Sequence, residues 1–410
     1  MRILVIGAGG VGTAVARIAS RRGFFERLVL ADYDEAKAKA AVAGVDDARV
    51  AAARVDASDA DAVADIARRE GATHVLNAVD PRFVLPVFEG TFRANADYLD
   101  MAMSLSRPDP ELPHEKAGVK LGDEQFAQAE RWETAGRLAL VGIGVEPGLS
   151  DVFARYAADH LFEEIDELGT RDGANLVVDG YDFAPSFSIW TTIEECLNPP
   201  VIYEAGRGWY TTAPFSEPEV FGFPAGIGPV ECVNVEHEEV VLMPRWVPAR
   251  RVTFKYGLGS EFIDVLRTLH KLGLDRTEPV RVRTTAGHAG VSPRDVVAAS
   301  LPDPATLGDR MHGTTCAGLW VTGRGVDGNR REVYLYHAVD NAWSMAEYGS
   351  QCVVWQTAVN PVIALELLAE QVWSGAGVLG PEAFDPLPFL ERLGQFGPSW
   401  ELEERTPSSA

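Results

Sequence analysis

The residues with the clearest chemical capacity open the chain. Gly7-Ala8-Gly9-Gly10-Val11-Gly12 lies between the apolar run 2–6 and an Ala-rich run that starts at Thr13. After a strand and at the start of a helix, this spacing permits a tight turn at Gly7, approach of the backbone to a pyrophosphate at Gly9, and close packing of helix on strand at Gly12. Gly10 and Val11 then stand at the helix N-terminus, where phosphate is held. Twenty residues beyond Gly12, Asp32 ends the second apolar run. A carboxylate there accepts hydrogen bonds from both ribose hydroxyls and repels a 2′-phosphate, so the expected cofactor is NAD, with NADP kept as the second choice. Asp56 and Ala57 follow the third run and are expected on the adenine side, Asp56 serving equally well as a helix N-cap. Asn77 and Ala78 end the fourth run, at the strand edge where open α/β sheets bind ligands.

The elements that must position these groups repeat along the first hundred residues. Apolar, β-branched runs at 2–6, 27–31, 50–55 and 74–78, with a weaker one at 97–100, alternate with helical stretches. Their apolarity is continuous rather than alternating, which means strands buried on both faces in a parallel sheet. The pattern predicts an α/β, doubly wound Rossmann domain. A sixth run, 138–143, leads into Gly144-Val145-Glu146-Pro147-Gly148 and a new helix. From about residue 165 longer strands and aromatic segments take over, and GVDG at 325–328 predicts a hairpin. The expected units are 1–124 extended by 138–160, a mixed α+β unit over 165–347, and a helical segment over 348–400. The last ten or so residues are expected to fray.

Composition narrows the function. Sixty acidic against 37 basic side chains give a formal net charge of −23, a field that repels nucleic acid and anionic membranes. Cys196, Cys232, Cys316 and Cys352 are far apart and suggest reduced thiols. His237, His288, His312 and His337 show no metal-binding pairing, so no metal is expected. No stretch of about 18 apolar residues and no hydrophobic leader are apparent, and the expected location is the cytoplasm.

The Gly7–Gly12 opening, VDASD at 55–59, LNAVDP at 76–81, YLD at 98–100 and GIGVEPGLSD at 142–151 together resemble the glutamate-forming saccharopine dehydrogenase family, which includes carboxynorspermidine dehydrogenases. SFSIWTTIEECLNPPVIYEAG at 186–206, VTFKYGLGSEFIDVLRTLHKLGLD at 252–275, SQCVVWQT at 350–357 and GVLGPEAFDPLPFLERL at 377–393 extend the likeness over nearly the whole chain. The resemblance implies a substrate domain with a mixed or antiparallel sheet inserted after about residue 124, and a C-terminal segment returning to the Rossmann domain. It also implies a homodimer and an NAD(P)-dependent reaction in which an aldehyde and an amine join and the resulting imine is reduced. Thr357-Ala358-Val359-Asn360-Pro361 departs from the family's usual TGVP.

Such a reaction needs proton transfer and a clamp on the substrate's charged ends. Tyr98, Asp100 and Lys255 are the expected proton-transfer residues, Lys255 serving alternatively to clamp a carboxylate. Tyr256, Glu146 and Arg251 are the expected substrate contacts. For Arg251, as for Arg207 and Arg245, a surface charge or interdomain ion pair is the favoured alternative, and Glu146 is explained equally by complementing a helix dipole. Glu195, Cys196 and Asn198 lie together without an assigned role. The substrate expected is an amino acid such as saccharopine or a polyamine-type amine, and the strong acidity favours keeping the polyamine. A lysine or diamine dehydrogenase and a non-catalytic sensor of nicotinamide cofactor are the alternatives.

Overall fold

A computed structural model describes residues 1–285 and 287–406. The continuous apolar runs form a wholly parallel seven-stranded sheet in the order Gly377–Leu379, Leu138–Leu140, Asp97–Asp100, His74–Asn77, Arg2–Ile6, Arg27–Asp32, Val50–Arg54. Leu4, Val5, Leu28, Leu30, Val75 and Leu76 are completely buried, as helices covering both faces require. Chain order reverses between Arg2–Ile6 and His74–Asn77, which opens a crevice at the carboxyl ends of those two strands.

The C-terminal segment supplies more than helices, since Gly377–Leu379 adds an edge strand beside Leu138–Leu140. The helix Cys352–Ala369 packs on the first helix, Gly10–Ser20. By length and composition this helix is apolar enough to span a membrane, which corrects the expectation that no such stretch exists. It is 83% buried inside the protein and serves as a core helix. Asn360, within the departure from the family pattern, donates to the carbonyl of Gly144 and ties this helix to the loop that carries Glu146.

The second sheet has nine strands and mixed directions. Its centre is the parallel pair Phe162–Ala174 and Arg251–Gly257, in which Asp172 lies opposite Tyr256 and Arg171 opposite Lys255. The expected hairpin is present as Thr314–Gly325 and Arg330–Asp340. The expected fraying is corrected for Glu401–Arg405, which pairs with Arg330–Asp340 as an edge strand. Residues 407–410 lie outside the described residues.

Helix and strand meet most closely at Gly12, where an added Cβ would sit 1.8 Å from the carbonyl oxygen of Gly7. Backbone cannot yield as a flexible side chain can. Gly12→Ala should therefore cost at least about 2 kcal/mol in urea unfolding, and unchanged stability would contradict this packing.

Candidate active site

The dinucleotide end of the crevice is lined by Gly7, Gly9, Asp32, Asp56, Ala57 and Ala78, together with Tyr33 and Lys37. Asp32 accepts the backbone N–H of Ala8 at 2.8 Å and that of Asp34 at 3.0 Å, which fixes its carboxylate at the end of its strand. Asp56 is held by the N–H and hydroxyl of Ser58. An added Cβ on Gly9 would meet nothing within 4 Å, so open space lies in front of this backbone at a helix N-terminus, as a pyrophosphate requires. Gly10 is different, since its Cβ would touch Ala305 and Val354. The residues present fit a nicotinamide dinucleotide held by Gly7, Gly9 and Asp32, with Gly12 letting the helix pack against the strand behind them.

The larger cleft, of about 730 Å³, runs from Val11, Asn77 and Ala78 to the second sheet. Seven carboxylates line it: Asp80, Glu146, Asp172, Asp182, Glu195, Glu238 and Glu261. No Lys or Arg lines it among the described residues. Asp80 at the rim pairs with Arg82. Burial raises the pKa of Glu195 to about 8, with Glu238 and Glu239 adding to the effect against His237. Burial likewise holds Asp172 and Glu146 well above the usual carboxylate range. Glu146 is presented by a turn closed by the 2.6 Å bond from Gly144 N–H to the Pro147 carbonyl, and it accepts the hydroxyl of Ser150. Gly148 has φ +139°, and its absent Cβ would overlap the carbonyl of Gly144 at 2.2 Å.

Behind this wall lies His237, 1% exposed and stacked on Phe254 with centroids 3.9 Å apart. Its Nδ1 lies 2.5 Å from Glu239 Oε2, and its Nε2 lies 3.1 Å from the hydroxyl of Tyr256. Burial opposes the charge on the ring, but Glu239, Glu195 and Glu238 outweigh it and raise the pKa to about 10. Glu239 leads back to a second buried group: carboxylate oxygens of Glu146, Asp151 and Glu239 lie within 4.8 Å of one another. Burial and the neighbouring carboxylates hold Glu146 and Asp151 well above their ordinary pKa, so this group retains protons.

The expected site residues divide sharply. Tyr256, Glu146, Val11, Asn77 and Ala78 line the cleft. Lys255 does not, and its assignment to catalysis is corrected. Successive strand residues face opposite sides, so Lys255 turns to the far face when Tyr256 faces the cleft, and it bonds Glu219 at 2.7 Å beside Arg171. Tyr98 is also corrected: it is fully buried against Phe88 and Trp132, and its hydroxyl accepts from Asn77. Asp100, corrected likewise, is a buried brace that accepts the N–H of Gly142 and the side chain of Gln125. Arg251 lies at the other end of its strand, paired with Glu204 and Glu217 rather than facing a substrate. His237, Asp172 and Glu238 are site residues that sequence reasoning passed over. For His237 and Glu238 the signal was four ionisable residues, 236–239, set in the largely apolar stretch VNVEHEEVVLM; Asp172 had none.

Comparison with known proteins accounts for both halves of this architecture. Residues 3–140 match the saccharopine dehydrogenase NADP binding domain, and residues 144–397 match the saccharopine dehydrogenase C-terminal domain. The chain is 30% identical to a carboxynorspermidine synthase of Vibrio alginolyticus over 99% of its own length and 98% of the relative's. It is 29% identical to a carboxyaminopropylagmatine dehydrogenase of Synechocystis, over 97% and 96%. The fold matches saccharopine dehydrogenase of Saccharomyces cerevisiae at a TM-score of 0.70 and 14% identity, covering 99% of this chain and all of that one.

Two measurements test the geometry. Asp32→Ala should weaken NADH binding at least tenfold and NADPH binding less, as read by fluorescence titration; equal losses would remove Asp32 from the ribose. The second concerns pH. Unfolded Glu and His titrate at 4.5 and 6.5, whereas folded Glu195 and His237 hold their protons to about 8 and about 10. The folded state thus binds more protons above pH 7, and each extra proton lowers stability by up to about 1.4 kcal/mol per pH unit. The melting temperature of the ligand-free chain should fall between pH 7 and pH 9; a flat or rising value would contradict the buried network.

Proposed function

The chain belongs to the saccharopine dehydrogenase family and is an NAD(P)-dependent oxidoreductase acting on the CH–NH bond of an amine; from this premise we propose that its amine substrate is a polyamine-type cation. The observation that carries the proposal is the cleft wall, with seven carboxylates and, among the described residues, no Lys or Arg. A substrate rich in carboxylates would enter this field unpaired and desolvated, which is strongly unfavourable, whereas ammonium or guanidinium groups meet opposite charge. The two relatives named above, on a carboxynorspermidine and a carboxyaminopropylagmatine, are consistent with such a substrate.

In this reading Glu195, Glu238 and Asp172 hold the inner cation, and Asp182 and Glu261 draw the outer one toward the mouth. The cleft excludes water from the imine and holds its carbon toward Asn77 and Ala78, at the dinucleotide end. When bound, the dinucleotide supplies the hydride that converts the imine to a secondary amine. We propose NAD as the preferred form, supported by the fixed carboxylate of Asp32, and a cytoplasmic homodimer as the working form.

Absorbance at 340 nm, followed with NADH, an aldehyde and a panel of amines, tests the assignment. Diamines, agmatine and polyamines should show KM values at least tenfold below that of lysine, and Glu195→Gln should raise the polyamine KM at least tenfold. Turnover restricted to lysine or glutamate would refute the cationic assignment.

A further inference from the structure

We propose that the Tyr256 hydroxyl is the group that moves the proton at the substrate's reacting centre, and that His237, held by Glu239, is the positioning residue that keeps this hydroxyl a donor. The proposal rests on the reading of the substrate as an amine. Three observations carry it. Tyr256 lines the cleft, with its hydroxyl 3.4 Å from Glu195 and 3.1 Å from Nε2 of His237. His237 stacks on Phe254 and lies 2.5 Å from Glu239, so the ring has one orientation. Register places Tyr256 opposite Asp172, another cleft residue, and strand alternation removes Lys255 from the same space.

The donor pattern follows from charge. A protonated imidazole donates from both nitrogens, to Glu239 through Nδ1 and to the Tyr256 oxygen through Nε2. With that oxygen's acceptor role taken by His237, its own O–H points outward, toward Glu195 or toward a molecule in the cleft. The groups facing the imidazole are Glu238 and Glu239 on its own segment, Glu195 on the helix Ile189–Leu197, Tyr256 on Arg251–Gly257 and Asp172 on Phe162–Ala174. All but Tyr256 are acids, which favours the imidazolium, and burial keeps Tyr256 itself protonated.

The proton account closes. Arrival of the substrate ammonium releases the resident proton of Glu195 to solvent; the ammonium then transfers one proton to the Glu195 carboxylate, and the free amine adds to the aldehyde carbon to form a carbinolamine after proton transfer from nitrogen to oxygen. The Tyr256 O–H protonates the departing hydroxyl, the C–O bond breaks, and the nitrogen lone pair forms the C=N bond of an iminium ion. His237 returns a proton to Tyr256 through Nε2, and the proton held on Glu195 restores His237. Ammonium and aldehyde have become iminium and water with no net proton gained or lost. Glu195 has an oxygen 3.9 Å from Nε2 of His237, within reach for that last transfer after a small movement.

Four variants are compared by steady-state kinetics with the best amine of the panel: Tyr256→Phe, His237→Asn, Glu239→Gln and Lys255→Met. Tyr256→Phe should lower kcat at least 50-fold with less than a threefold change in amine KM and in NADH affinity, and Lys255→Met should leave kcat within threefold. His237→Asn should lower kcat at least tenfold, and Glu239→Gln should move the alkaline limb of the kcat profile down by at least one pH unit. A readout independent of turnover is the titration of the His237 ring by NMR, assigned from its absence in His237→Asn. Its midpoint should lie above 8 and fall by at least one unit in Glu239→Gln. Tyr256→Phe within threefold of wild-type kcat, or a His237 midpoint unmoved by Glu239→Gln, would overturn the proposal. If the best amine is not a polyamine, the substrate reading fails while these comparisons remain decisive for Tyr256.

Discussion

The cleft depends on one buried cation. Glu195, Glu238 and Glu239 converge from a helix and a loop onto His237, whose ring is 1% exposed and clamped on Phe254. Without that cation the three acids would be desolvated together with nothing to offset their repulsion. Removing one partner of a buried ion pair typically costs about 3–5 kcal/mol because the remaining charge is left uncompensated. Glu146 and Asp172 follow a different route, held well above the ordinary carboxylate range by burial. The site is thus prepared for positive charge by two means, one fixed imidazolium and two buried carboxyls that can release protons when an ammonium arrives.

The positions of these groups follow from the way the two sheets meet. The parallel sheet delivers Asn77 and Ala78 at its switch point, and the mixed sheet delivers Asp172 and Tyr256 from two adjacent parallel strands. Between them the tight turn 144–148 presents Glu146, and Asn360 braces that turn from the long apolar helix. Asp100 stabilises the same region from below by accepting the N–H of Gly142. Residues that first suggest chemistry by their type, such as Tyr98, Asp100 and Lys255, prove to be parts of this support.

Net charge gains a specific meaning in this arrangement. An acidic surface is common and by itself selects against phosphate polymers, whereas the cleft concentrates acids where water is scarce and the field is less screened. Arg171 and Lys255, the basic residues next to Asp172 and Tyr256 in the cleft strands, are both turned to the far face, where they share Glu219 and Arg171 also meets Glu167.

Local sequence was sufficient for the Rossmann half apart from its edge strand Gly377–Leu379, which the C-terminal segment supplies. Its first strands are continuous apolar runs, its phosphate turn is a contiguous six-residue motif, Asp32 and Asn77 each end a strand, and Asp56 lies two residues beyond one, so their placement follows from the backbone pattern alone. The hairpin around GVDG was legible for the same reason. The ordered motifs also pointed to the family and to its reaction. The substrate half was not legible in that way, because its site gathers residues 146, 172, 195, 237–239 and 256 from separate elements. Whether Lys255 or Tyr256 enters the cleft is a choice of strand phase, and a shift of one residue reverses every side chain. That phase is set by pairing with Phe162–Ala174 and by the apolar face that packs inward. The sequence by itself determined the cofactor fold and the class of chemistry; only the tertiary structure decided which ionisable side chains share the cleft, since long-range packing, not local spacing, brings them together.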